Sequence, residues 1–354
     1  MDKSKLINTL KPSRIIYPIL VGFIVATWLL YKDFDVAAFL KIDWTWHAGI
    51  FGIMAIVMMF LRDLAYMYRI RILTDKELSW KKSFQVIMLW EFASAITPSI
   101  VGGSAVAIFI VHKEISNVGK STAIVMVSSM LDELFYIVMV PILYFLIGGD
   151  KLFSISGITS VEDMTFGYGL FYFFLFGYLF LLTYTLIILY ALFYNPRLIK
   201  WVFIKVFSLP FLRKWRIGAA KAGDDLIIAS KEIKGKPKRY WIKTGLATLV
   251  SWTARFWVVN FLILIVMSLG LYDHILIYGR QLLMWVIMLV SPTPGSSGFA
   301  EVVFVDFLGE IIPKGLGPSM ALIWRLISYY PYLIIGAVIL PIWIKRVFSS
   351  DNPD

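Results

Sequence analysis

Cysteine is missing from the chain altogether, which removes disulfides and thiolate metal sites from consideration. Histidine is scarce: His47, His112 and His274 lie far apart and show no HxxxH-type spacing. No histidine-based metal centre and no cofactor is therefore expected. Charge is thin as well. Charged residues make up 16% of the chain, where a soluble domain has about a quarter. What fills the sequence instead is apolar, with 59% hydrophobic and 16% aromatic residues and a mean hydropathy of +0.78. Several runs reach the roughly 20 apolar residues that cross about 30 Å of hydrocarbon. The expected fold class is an all-α polytopic membrane protein with about six full spans plus two re-entrant helical hairpins in an inverted repeat.

The net charge of +11 does not point to nucleic acid. The lysines and arginines sit in short loops beside apolar runs, the positive-inside pattern of a membrane protein facing anionic headgroups. Full spans are expected at about 15–32, 47–70, 120–147, 167–194, 241–269 and 318–344. The first follows the basic "KSKLINTLKPSR" without a small-residue cleavage site and reads as a retained helix. Two more apolar regions are interrupted, 82–112 near "TPSIVGGS" and 276–311 at "SPTPGSSG". If each interrupted region enters and leaves on one side, every basic loop falls on the cytoplasmic face of the inner membrane, with both termini. The loop 195–240 is the most basic, and amphipathic helices on the inner leaflet are expected there. The resulting division is 1–46 with the first helix, 47–147 as one repeat and 148–240 as external loop, helix and basic loop. Residues 241–345 form the second repeat and 346–354 the tail.

The repeat rests on spacing. Arg62 precedes Pro98 by 36 residues, and Arg255 precedes Pro292 by 37. A central charge follows each break, Asp132 at 34 residues beyond Pro98 and Arg325 at 33 beyond Pro292. By the loop charges the two units start on opposite faces, as in many secondary transporters that bind substrate where broken helices meet. Non-helical backbone cannot face lipid, because unpaired NH and C=O groups each cost several kcal/mol there. The tips, Thr97, Pro98, Gly102, Gly103 and Ser104 in one and Pro292, Pro294, Gly295, Ser296, Ser297 and Gly298 in the other, must therefore be buried or line a wet cavity. The half-helices beyond the tips offer free NH groups and a partial positive charge to an anion.

Charges inside apolar runs are costly and mark a path by default. Arg62, Asp63, Glu91, Asp132, Glu133, Arg255, Glu301 and Arg325 are the candidate headgroup-binding residues. Structural ion pairing is the bland alternative, closest to hand for the adjacent Arg62 and Asp63. Asp132 and Glu133 are consecutive on a helix and are expected to face different directions. Arg69 and Arg71, at a span end, are expected to snorkel to the interface. The pocket pictured from these residues is hydrated and cation-rich.

"TPSIVGGSAVAIFIVHKE", a span with an internal acid pair, "SPTPGSSGFAEVVF" and "WRLISYYP" together resemble the lysylphosphatidylglycerol synthase transmembrane-region family, also called flippase-like, the membrane half of the multiple peptide resistance factor. The likeness covers about 14–345. It implies translocation of lipids with polar heads, including aminoacylated phosphatidylglycerol, or handling of polyprenyl-linked sugars. Pro98, Gly102 and Gly103 match its first motif, and Pro294, Gly295, Gly298 and Glu301 its second. "PGSSG" stands where the family is richer in glycine. Only "VFSSDNPD" follows Arg346, so no aminoacyl-transferase domain is expected. The expectation is a non-enzymatic lipid transporter whose partners are membrane phospholipids, anionic or aminoacylated, with no nucleic acid. A transporter of a small soluble anion, a lipid-sugar transferase and a scaffold stay open, as does a homo-oligomer.

Overall fold

The computed structural model describes residues 24, 31, 40, 46–97, 100–153, 161–209, 213, 216–289, 291 and 293–349. The expected first span falls almost wholly outside these residues, as do Pro98 and Pro292. Among the described residues there are helices and turns and no strand.

Thirteen helices follow in order among them. They are α1 (Trp46–Leu73), α2 (Trp80–Ile96), α3 (Ile100–Ile115), α4 (Val118–Ile147), the short α5 (Gly149–Leu152) and α6 (Val161–Leu189). Then come α7 (Pro196–Val206), α8 (Arg216–Lys234), α9 (Lys238–Leu264), α10 (Leu271–Met288), α11 (Phe299–Leu308), α12 (Gly317–Ser328) and α13 (Tyr330–Ser349). A π turn at Tyr190–Tyr194 prolongs α6. Among the described residues, five stretches are long and apolar enough to cross a membrane: Trp46–Leu73, Val118–Ile147, Phe171–Tyr194, Lys238–Leu264 and Gly317–Val347. The last is two helices broken at Tyr329, where the sequence suggested one. Phe60, Phe145 and Phe176 are 70%, 85% and 61% exposed, as aromatic groups bathed in hydrocarbon would be.

Helix α2 stops at Thr97, which is extended (φ −102°, ψ 137°) because the following proline disfavours the helical region for its predecessor. The Thr97 hydroxyl donates to Ala93 O at 2.7 Å, satisfying one terminal carbonyl. The chain then returns as α3, and the arms touch closely. A Cβ on Gly103 would lie 2.9 Å from Ser94 Cα, so only glycine fits this crossing. At the open end Lys82 Nζ meets Glu114 Oε2 at 3.2 Å, so the start of α2 and the end of α3 lie side by side. Helices α2 and α3 form an antiparallel helical hairpin.

The second hairpin is α10 and α11. Its turn uses left-handed backbone at Gly295 (φ 56°), Ser296 (φ 55°) and Gly298 (φ 84°). Arg280 of α10 donates to Phe307 O and Glu310 Oε2, both at 2.8 Å, clasping the returning arm. It also donates to Lys151 O at 2.9 Å, which ties the hairpin to the short α5.

The spans that lead into the two hairpins, α1 and α9, pack against each other and run antiparallel. Phe51 stacks on Phe261, Arg62 O accepts from Ser251 Oγ at 3.2 Å, and Arg69 Nη1 donates to Thr248 Oγ1 at 2.9 Å. Rising numbers on one helix meet falling numbers on the other. The basic loops collect at one end of the bundle: Lys236 pairs with Asp75 at 2.6 Å, Glu77 with Lys120, and Glu114 with both Lys82 and Arg346. In the basic loop α7 and α8 form a helical pair, and α8 abuts the start of α4 so closely that a Cβ on Gly119 would strike the Asp225 backbone at 2.4 Å. The second hairpin's clasp lies at the far end of α4.

Candidate functional site

Both hairpin tips open onto one cavity of about 230 Å³, lined by α1, α2, α3, α4, α9, α10, α12 and α13. Thr97 and Ser104 come from the first tip, and Gly295 and Ser296 from the second. Pro294 shapes the second turn, Ser297 and Gly298 bond within it, and Gly102 and Gly103 belong to the first turn of α3; Pro294, Ser297, Gly298 and Gly103 stand outside the cavity lining.

Four arginines line it, and their surroundings differ. Arg62 is fully buried and donates to Asp63 at 2.7 Å, Glu91 at 2.5 Å and the Tyr332 hydroxyl at 2.9 Å. Arg69 is 2% exposed, against the expectation that it snorkels outward. Its guanidinium grips both oxygens of Asp132, at 2.6 and 2.8 Å, and donates to Ser128 and Thr248. Tyr66 lies beneath it, so the buried charge is met on every side. Arg71, the other cation expected at the interface, lies over the Trp80 ring.

Arg325 donates to Glu301 Oε1 at 3.1 Å and to Gly295 O at 3.0 Å, and stacks on the Tyr329 ring at 3.6 Å. It binds the second turn into shape. Glu301 also accepts from Gly298 N at 2.8 Å, so the α11 terminus carries its own carboxylate. That Gly298 amide is not free for an anion, contrary to the expectation from sequence, and Glu301 does not line the cavity. Asp63 also stands behind the wall.

Arg255 is different. Among the described residues it makes no hydrogen bond, its nearest carboxylate is Glu91 at 3.9 Å, and its guanidinium lies over the Trp285 ring at 4.4 Å. Glu133 is its counterpart among the acids. It is 6% exposed, lines the cavity and has neither hydrogen bond nor ion pair among the described residues. Asp132 lines the cavity as well, although about 100° separates consecutive residues around a helix. It is consumed by Arg69, Tyr66 at 3.2 Å and Trp252 Nε1 at 2.7 Å. The cavity wall carries four arginines and three acids, Glu91, Asp132 and Glu133, while Asp63 and Glu301 offset Arg62 and Arg325 from behind it.

Sequence reasoning passed over the aromatic wall of Tyr136, Trp252 and Trp285, whose rings pack at 5.0 to 6.5 Å. It also passed over Tyr329, which touches both tips. The Tyr329 hydroxyl donates to Ala95 O at 3.0 Å and accepts from Ser297 Oγ at 3.3 Å. The quoted "SYYP" contained it, but nothing in the residue type alone separates a tip-bridging tyrosine from an interfacial one.

Comparison with known proteins gives a lineage. The family model described as the lysylphosphatidylglycerol synthase TM region matches residues 15–336. A UPF0104 membrane protein from Archaeoglobus fulgidus is 28% identical over 274 residues, covering 74% of this chain and 76% of that protein. No solved structure matches.

Proposed function

The chain belongs to the lysylphosphatidylglycerol synthase transmembrane-region family, and we propose that it carries a phospholipid or lipid-linked polar headgroup between leaflets by alternating access. The carrying observation is the meeting of two helical hairpins over one charged cavity in which Arg255 lacks a hydrogen-bonded partner. An arginine kept inside an apolar bundle without such a partner is costly unless something else completes its shell. A headgroup phosphate does so, between the two tips that line the same wall. The acyl chains stay in hydrocarbon while the headgroup crosses.

In this reading the hairpins are re-entrant and enter from opposite faces of the cytoplasmic membrane. The antiparallel pairing of α1 with α9 and the gathering of basic loops at one end both support it. The basic end is cytoplasmic, and the helical pair α7 and α8 lies against the inner leaflet. No catalytic step is involved. A carrier for a small soluble anion uses the same architecture, but Glu133, an acid in the wall with no arginine paired to it, suits it less well.

The test is leaflet exchange of labelled phospholipids in liposomes holding purified protein. Wild type should exceed empty liposomes, Arg255→Ala should fall at least about tenfold through loss of a charged hydrogen bond, and Glu301→Ala should fall by loosening the second tip. Exchange in all three at the empty-liposome rate overturns the proposal.

A further inference from the structure

Among the charged groups around the cavity, two are left over. Arg62, Arg69 and Arg325 each have close carboxylates, and Asp63, Glu91, Asp132 and Glu301 each accept from one of them. Arg255 and Glu133 do not enter this network by hydrogen bonding, yet both line the wall. The remainder is one cation and one acid.

From this residue of charge we infer that the occupant is a zwitterion, a headgroup joining one phosphate-type anion to one ammonium-type cation. The inference rests on the lipid-transport reading of the same site and names its substrate class. A purely anionic headgroup satisfies Arg255 but leaves Glu133, 6% exposed, with no donor to its carboxylate. A purely cationic one leaves Arg255 in the same state. A phosphate linked to a primary amine completes both. The phosphate takes the guanidinium in paired hydrogen bonds, displacing the loose 3.9 Å contact with Glu91. The ammonium brings three donors to Glu133, whose carboxylate has no donor of its own. The ring of Trp285 beneath Arg255 holds that guanidinium in place for the phosphate.

The discriminating experiment is native mass spectrometry of the full chain released from mixed micelles. These contain equal amounts of phosphatidylethanolamine, its N-acetylated form and phosphatidylglycerol, and a parallel arm offers water-soluble glycerophosphoethanolamine. Wild type should retain phosphatidylethanolamine about tenfold over the other two, the discrimination that one charged hydrogen bond supplies. Glu133→Gln should level the three lipids, and Arg255→Gln should weaken all of them. Retention of the soluble compound to the same degree assigns the zwitterion site to a free phosphoamine and keeps the inference while removing the lipid reading. Equal retention of all three lipids by wild type overturns the inference, and needs no variant to fold. Leaflet exchange measured alongside separates the two claims: exchange without lipid preference leaves transport standing and the zwitterion fallen, whereas preference without exchange does the reverse.

Discussion

The Tyr329 hydroxyl donates to the main-chain carbonyl of Ala95 at 3.0 Å, fastening the break between α12 and α13 to the tip of the first hairpin. The same ring stacks under Arg325 and packs on Gly295, where a Cβ would lie 2.4 Å from it. One side chain therefore touches both tips at a point where a helix is interrupted. Tyr329→Phe keeps the ring and loses the fastening. It should lower stability by about 1 kcal/mol and raise the rate of leaflet exchange, read by thermal melting in detergent and by liposome assay.

Arg69 and Arg255 should behave oppositely on truncation. Arg69→Ala strands Asp132 inside the bundle and should cost about 3–5 kcal/mol, visible as a large drop in the melting temperature. Arg255→Ala breaks no hydrogen bond and should leave melting nearly unchanged while exchange falls. Equal melting losses in the two variants would show that Arg255 is held structurally too.

Close backbone approach makes a third case. A Cβ on Gly336 would lie 2.3 Å from Phe92 Cβ, where α13 crosses α2. Gly336→Ala should destabilise by about 1–3 kcal/mol through overpacking. Gly52→Ala on α1 meets nothing within 4 Å and should be neutral or gain up to about 1 kcal/mol from helix propensity. Comparative melting of the two variants checks both signs.

Arg325 and Glu301 should act as one unit. Each alone leaves a buried charge and an unsupported turn, so Arg325→Gln and Glu301→Gln should each reduce stability, and the double variant should cost less than their sum. A coupling of about 0.5–3 kcal/mol is expected from a double-mutant cycle of unfolding.

The hairpins were legible because breakers stand out inside apolar runs: Thr97 ends α2 where a proline follows, and Gly295 and Gly298 adopt left-handed backbone that few other residues tolerate. The buried charges were legible by their cost. Their partners were not. Arg69 looked like a span-end cation because its Asp132 lies 63 residues away in sequence. Arg280 went unread inside "LIYGRQLLMW" because its carbonyl acceptors, Lys151 O and Phe307 O, carry no side-chain signature. Arg255 and Glu133 were named, but that they are the two left without hydrogen bonds depends on every other pairing and appears only in three dimensions.

The most direct measurement uses the chain's lack of cysteine. Ser116→Cys sits at the open end of the first hairpin, and Leu271→Cys, at a residue 79% exposed, at the open end of the second. Each is labelled with a membrane-impermeant thiol reagent applied to one face of oriented vesicles at a time. Hairpins entering from opposite leaflets require Ser116→Cys to react from the cytoplasmic face and Leu271→Cys from the other; reaction of both from the same face would contradict the inverted arrangement and the shared cavity mechanism with it.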